Sequence, residues 1–244
     1  MKYKRPLRSL PAVAADVSIG TALQDRMRHA MQRRNIVRTA SGALLIAATA
    51  VGVLYGCASA PADRAGEQRA AAMLKSSFKA HGQATLERLD QDETQRLCSE
   101  YAGRALPQPV AERIQKANLA TIHLPADGKL VGDWKSGEKI AQSGQGFQYS
   151  DDPKKPAGAN CYACHQLSPQ ELSYGTIGPS LYQFGKRRGF TDETRRYVWQ
   201  KIYNSESLSA CSNMPRFGQH HILTEQQIRD VVALLVDPAS PVNQ

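Results

Sequence analysis

The chain has 244 residues, of which 41% are hydrophobic and 7% aromatic, enough apolar material for a packed core with extensions. Its formal charge is +9, but residues 1–56 hold nine Lys/Arg against Asp16 and Asp25, so only +2 remains for everything after residue 56. A basic balance confined to the N-terminal segment excludes a nucleic-acid-binding surface and points to an export signal.

Ala43 to Gly56 form a 14-residue apolar run behind that basic stretch. A membrane-spanning helix needs roughly 20 residues, so the run suits the core of a signal peptide over 1–56. It ends in Leu54-Tyr55-Gly56-Cys57, a lipobox-like pattern in which Cys57 accepts lipid and becomes the mature N-terminus. The rival reading is cleavage after Ala58-Ser59-Ala60, for which Pro61 is a poor following residue. Residues 1–30 are unlike a signal's basic head, and a chain starting at Met31 has a compact lipoprotein signal, so Met31 is a candidate true start. Residues 57–69 read as a polar, Ala-rich linker.

From Ala70 to Tyr101 the pattern is helical, with Met73, Leu74, Phe78, Leu86, Leu89 and Leu97 at helical spacings and Gly82 weakening the middle. Pro107 and Pro109 close that region, residues 110–122 read as a short helix, and Asp127-Gly128 marks a tight turn. Residues 70–126 are therefore expected to be a helical extension, packed on or tethering a core domain over 127–244. That domain opens with a helix at 133–144, anchored by Trp134 and Ile140. A long polar loop follows, then a glycine-rich loop at 172–189. Thr191 is an N-cap for a helix through Tyr197, Val198 and Ile202. Thr224 and Gln227 fit a capping box ahead of Ile228, Val231, Val232 and Leu235, spaced i, i+3, i+4, i+7. This last helix should lay its apolar face on the first one. Asp237-Pro238 ends it, and 239–244 reads as a tail. The chain is all-α.

Cys161, Cys164 and His165 make a C-x-x-C-H signature in "NCYACHQL". Two thiols at this spacing can form thioethers to the vinyl groups of one haem, with the next histidine as proximal iron ligand. A zinc site would need a second ligand pair at short spacing, and thioredoxin-like chemistry would need a β-α-β setting; neither pattern is here. The expected cofactor is one covalent haem c. Of the five cysteines, one lipid acceptor and two thioethers leave Cys98 and Cys211. In an oxidising, periplasm-like compartment these either pair as a disulfide or stay as two buried thiols.

The iron needs a partner opposite His165. Met214, in a Pro- and Gly-containing loop, is a soft ligand that favours Fe(II); His220 and His221 compete with it. Met73, His81 and His123 fall outside the haem domain. Two strong ligands leave no vacant position, which suits electron transfer and not oxygen activation. Pro179 either is a plain turn proline or aims its carbonyl at the second nitrogen of His165. Lys186, Arg187 and Arg188 form a basic cluster that either steers an acidic redox partner or is simply solvated.

Taken together, "NCYACHQL", "GTIGPSL", "FGKRRG", "CSNMPRFG" and "LTEQQIRDVVALLVDPASPVN" resemble SoxX, the monohaem cytochrome c subunit of SoxAX complexes in bacterial thiosulfate oxidation. The resemblance covers roughly residues 95–244. It implies a class I cytochrome c fold, His165 and Met214 as axial ligands, and Cys98 as the partner of Cys211. It also implies a heterodimer with a SoxA-like haem subunit, acting together as an L-cysteine S-thiosulfotransferase. Thiosulfate would be conjugated oxidatively to a cysteine of the carrier SoxYZ, with this chain passing electrons to a small cytochrome c. With its five cysteines assigned, none is left as a sulfur nucleophile, so the sulfur chemistry falls to another chain. The implied location is the periplasm, and the long N-terminal portion with its lipid site departs from the simplest soluble members. The alternative is a free-standing periplasmic electron carrier unrelated to sulfur metabolism. A third reading makes residues 70–126 mainly an assembly arm.

Overall fold

The structure is a computed structural model and describes residues 64–244. The export signal, the Met31 start, the Cys57 lipid site and the first part of the linker lie outside the described residues. Among the described residues every regular element is helical and no strand forms, as an all-α chain requires. Ala65–Gln244 group into one compact unit.

Helix α1 spans Arg64–Ser77 and so begins inside the stretch read as linker. Its run of alanines favours helix, and Glu67 in the first turn complements the helix dipole. The helical pattern read through to Tyr101 does not continue unbroken. Gly82 takes a left-handed φ of +55° between His81 and Ala84, which bridge each other. A Cβ at Gly82 would crowd the Tyr149 carbonyl. The chain resumes in a 3₁₀ turn, Leu86–Leu89, and then α2, Glu93–Glu100. A capping box starts α2: Asp92 accepts from the Gln95 N–H, and the Gln95 side chain accepts from the Asp92 N–H. Helix α3 spans Gln108–Leu119, with Pro109 in its first turn, where a missing N–H costs nothing.

Helix α4 is Trp134–Gln142, capped by the Asp133 carboxylate. Helices α5, Phe184–Arg188, and α6, Asp192–Tyr203, follow, the latter from its Thr191 cap. Helix α7 is Glu225–Val236, and the Thr224/Gln227 capping box forms at its start. Helices α4 and α7 pack on each other. On α4, Gly137 and Ala141 are buried, whereas Trp134 and Ile140 are half-buried, Ile140 packing against the core cluster. A Cβ at Gly137 would overlap the Asp230 carbonyl, so glycine lets the α4 backbone lie directly on α7. Val198, Trp199 and Ile202 of α6 and Ile228 to Val236 of α7 supply much of the core. The Trp199 indole N–H is satisfied by the His123 carbonyl at 2.9 Å.

Two stretches depart from the sequence reading. The segment read as loop through 172–189 carries α5, because bare Gly185 admits the Phe190 ring and donates its N–H to Asn243 Oδ1 at 2.9 Å. The segment read as a tail is docked: the buried Asn243 amide donates to the carbonyls of Leu235, 3.1 Å, and Asp237, 2.9 Å. The Leu235 carbonyl is one that the end of α7 would otherwise leave unpaired, whereas the Asp237 carbonyl also accepts from the Ser240 N–H at 3.1 Å.

Candidate haem-iron site

Asn160 enters the left-handed region, φ +45°, a conformation asparagine tolerates better than most, and starts the 3₁₀ turn Cys161–Ala163. The Cys161 carbonyl accepts from the N–H of Cys164 at 3.1 Å and of His165 at 2.8 Å. One tight turn therefore presents two thiols and an imidazole. Both thiols are free and half-buried. Cys161 packs against the core cluster, and loss of solvation pushes its thiol up to about 12. A thioether at this position would carry no charge to desolvate. Among the described residues no group of three or more His, Cys, Asp or Glu is arranged to hold a metal ion.

The segment 175–181 lies across this turn as a short ladder. The N–H groups of Gly175, Gly178 and Leu181 donate to the carbonyls of Tyr162, Cys164 and Gln166 at 2.8, 2.9 and 2.8 Å. A Cβ at Gly175 would overlap the Ala163 carbonyl, and one at Gly178 would overlap the His165 ring. This close approach needs glycine at both positions, which the sequence showed only as loop formers. It brings the Pro179 carbonyl to 2.7 Å from His165 Nδ1. A carbonyl can only accept, so Nδ1 carries the proton and Nε2 keeps its lone pair as the ring's ligand atom.

His165 and Met214 line one cavity of about 310 Å³. Its walls are apolar, from Pro179, Leu181, Phe184, Val198, Ile202 and Leu235, with Arg187, Arg188 and Lys201 also on the lining. None of the other ligand candidates borders it. His220 and His221 lie beside other hollows. Met73 is exposed, and His81 stacks edge-on against Tyr149. A larger hollow of about 470 Å³ is lined by charged and amide groups such as Asp152, Lys154 and Gln227 and offers no soft ligand.

A mostly apolar cavity lined by an imidazole and a thioether, with cations on its wall, suits a porphyrin bearing two carboxylates. Burial lowers the affinity of Lys201 for its proton, partly offset by Glu206. Arg188 lies over the Tyr197 ring, 4.7 Å from its centroid, and over Phe184 at 5.5 Å. Two members of the basic cluster thus belong to the cavity wall, and Lys186 does not.

Met214 sits in a segment without regular structure. Its N–H donates to Ser212 Oγ at 3.2 Å, and its carbonyl accepts from Ser205 Oγ at 2.6 Å. Cys211, three residues before it, is disulfide-bonded to Cys98 of α2, with Cα atoms 5.4 Å apart. Ser205 carried no signal in the sequence, since a buried serine in a short 3₁₀ turn looks like any other.

The cytochrome c family profile matches residues 152–237. A protein described as an uncharacterized lipoprotein of Aquifex aeolicus (strain VF5) is 38% identical over 156 residues, spanning 63% of this chain and 73% of that relative.

Proposed function

The chain belongs to the cytochrome c family, an extracytoplasmic haem electron carrier with covalent haem c, and on that footing we propose that it is the monohaem, electron-accepting subunit of a SoxAX-type thiosulfate-oxidising complex. Haem c supplies a one-electron couple between ferrous and ferric iron. Cys161 and Cys164 would provide the thioether sulfurs, and His165 Nε2 and the Met214 sulfur would hold the iron. Pro179 holds the imidazole in the right tautomer, and Arg187, Arg188 and Lys201 offset the propionate charge.

The observation that carries electron transfer is that His165 and Met214 border the same mostly apolar cavity. A haem held by both residues would have no coordination site left for a substrate, and Leu181, Phe184, Val198 and Ile202 would give it apolar surroundings.

Placement in thiosulfate oxidation is supported by the "CSNMPRFG" loop, the "SPVNQ" ending and the use of cysteines. Among the described residues the four cysteines are a disulfide pair and the two of the haem motif. The reactive sulfur then belongs to a SoxA-like partner, conjugation occurs on SoxYZ, and electrons leave for a small cytochrome c. The lipoprotein description of the relative supports Cys57 as a lipid acceptor holding the protein at a periplasmic membrane surface. No helix among the described residues is long and apolar enough to cross a membrane.

The test is purification from the native membrane and periplasm with identification of companion chains. Thiosulfate-dependent haem reduction that requires a second haem-containing chain supports the proposal. A monomer reduced equally well alone assigns it to free-standing electron carriage.

A further inference from the structure

The helical extension contributes little to the main core. Leu97 of α2 and Ile114 of α3 are buried, but neither joins the central apolar cluster. What the extension does offer is a set of polar and covalent ties, and they converge on the segment around Met214.

Asn118 of α3 is the centre of that set. It is 3% exposed, and its amide is fully used. Its Nδ2 donates to Thr94 Oγ1 and to the Ile114 carbonyl, each at 2.8 Å. Its Oδ1 accepts from Asn204 Nδ2 at 2.9 Å and lies 3.5 Å from Arg216 Nη1. Asn204 is wholly buried and is followed by Ser205, the residue whose hydroxyl holds the Met214 carbonyl. Arg216, two residues beyond Met214, is 10% exposed in its side chain and pairs with Asp92, the cap of α2, at 2.6 Å. The disulfide from Cys98 fastens the chain on the other side of Met214. The loop is thus held before the methionine, at its own carbonyl and after it, and each hold leads back to α2 or α3.

A thioether is a weak ligand for ferric iron, so how readily it leaves depends on how rigidly its loop is held. We propose that α2 and α3 are a positioning brace for the Met214 loop, with Asn118 as its central node, setting how easily the methionine sulfur is displaced from the iron. This rests on Met214 being the axial ligand.

The experiment uses the ferric holoprotein and adds imidazole, a nitrogen ligand suited to Fe(III). Loss of the methionine–iron absorption band at the red end of the spectrum gives the displacement rate. Asn118→Ala strips the partner from Asn204 and Thr94, and displacement should become roughly tenfold faster, as loss of the one buried hydrogen bond that leads to Ser205, from Asn204, implies. Asp92→Asn, at the surface end of the brace, should accelerate it severalfold. Ile228→Val loosens the core without touching the loop or the iron cavity and should stay within about twofold of the unsubstituted protein.

Unchanged displacement in both brace variants overturns the proposal, as does equal acceleration in Ile228→Val. If Asn118→Ala yields no folded protein, Asp92→Asn decides alone. A band that survives Met214→Ala withdraws the ligand assignment and the brace with it. A band abolished by Met214→Ala but unmoved in rate by the brace variants sinks the brace only.

Discussion

The Pro179 carbonyl and His165 Nδ1 lie 2.7 Å apart, and Gly178 is what brings them together. The loop backbone runs so close to the imidazole that any side chain at 178 would occupy the ring's own space. Hydrogen bonds of this kind orient a ligated histidine and raise its basicity, and losing one costs roughly 10–100-fold in metal affinity or activity.

Gly178→Ala should therefore push the loop from the ring and break that hydrogen bond. Holoprotein yield should fall by about tenfold, and the surviving fraction should show a raised reduction potential because its imidazole donates less strongly. Haem-stained yield and potentiometry check both; an unchanged potential would show that Pro179 does not tune the iron.

Met214→Ala removes the soft ligand from the cavity that His165 also lines. The red-end band should vanish, and the potential should drop as a harder ligand or water takes the place. Survival of the band would move the ligand to another methionine, whereas a low-spin parent protein that lacks the band would move it to His220 or His221, neither of which borders the cavity.

Gly137→Ala inserts a methyl where α4 meets the Asp230 backbone. Backbone cannot swing aside, so the helices must separate, at a cost of about 1–3 kcal/mol by overpacking. Gly144→Ala is the comparison: its methyl would meet only the Asn160 side-chain amide at 3.3 Å and should cost far less. Denaturant unfolding of the two variants gives the difference.

Glu206 carries a pH dependence. Burial is the largest influence on its carboxyl and holds it above the ordinary carboxylate range, against the Cys211 and Ser212 N–H groups and the nearby Arg216 and Lys201. A carboxyl raised on folding contributes stability that is complete below its unfolded value, about 4.3, and lost as pH rises through the folded value. Glu206→Gln keeps an acceptor for the Cys211 N–H and should flatten that decline, gaining stability at pH 7 relative to the parent and little at pH 4. Unfolding free energies of both proteins at the two pH values measure it, and a constant difference across that range would be the contrary outcome.

The caps and stripes nearest to a local rule were legible. Thr191 and the Thr224/Gln227 box start α6 and α7 as their spacing indicates, and the i, i+3, i+4, i+7 stripe turns α7 onto α4. What escaped was set by contacts distant in sequence. Ile140 packs on the core as an anchor should, but Trp134 does not, and the buried positions of α4 are Gly137 and Ala141, because closeness of two helices rewards small residues and periodicity cannot see the partner. Residues 239–244 carry no apolar stripe, but Asn243 finds its partners at the end of α7 through polar bonds that hydrophobic pattern does not record.

Covalent chemistry was written in the chain itself: a C-x-x-C-H string puts two sulfurs and an imidazole on one turn wherever that turn is folded. Which atom could sit across from the imidazole was open among Met214, His220 and His221, since residues so far along the chain are related only by how the helices between them pack. The tertiary structure brought Met214 alone of the three to the cavity that holds His165, and it aimed a helical extension with few buried apolar residues at the loop carrying that methionine. Local sequence determines which groups can react; packing of distant segments determines which of them meet.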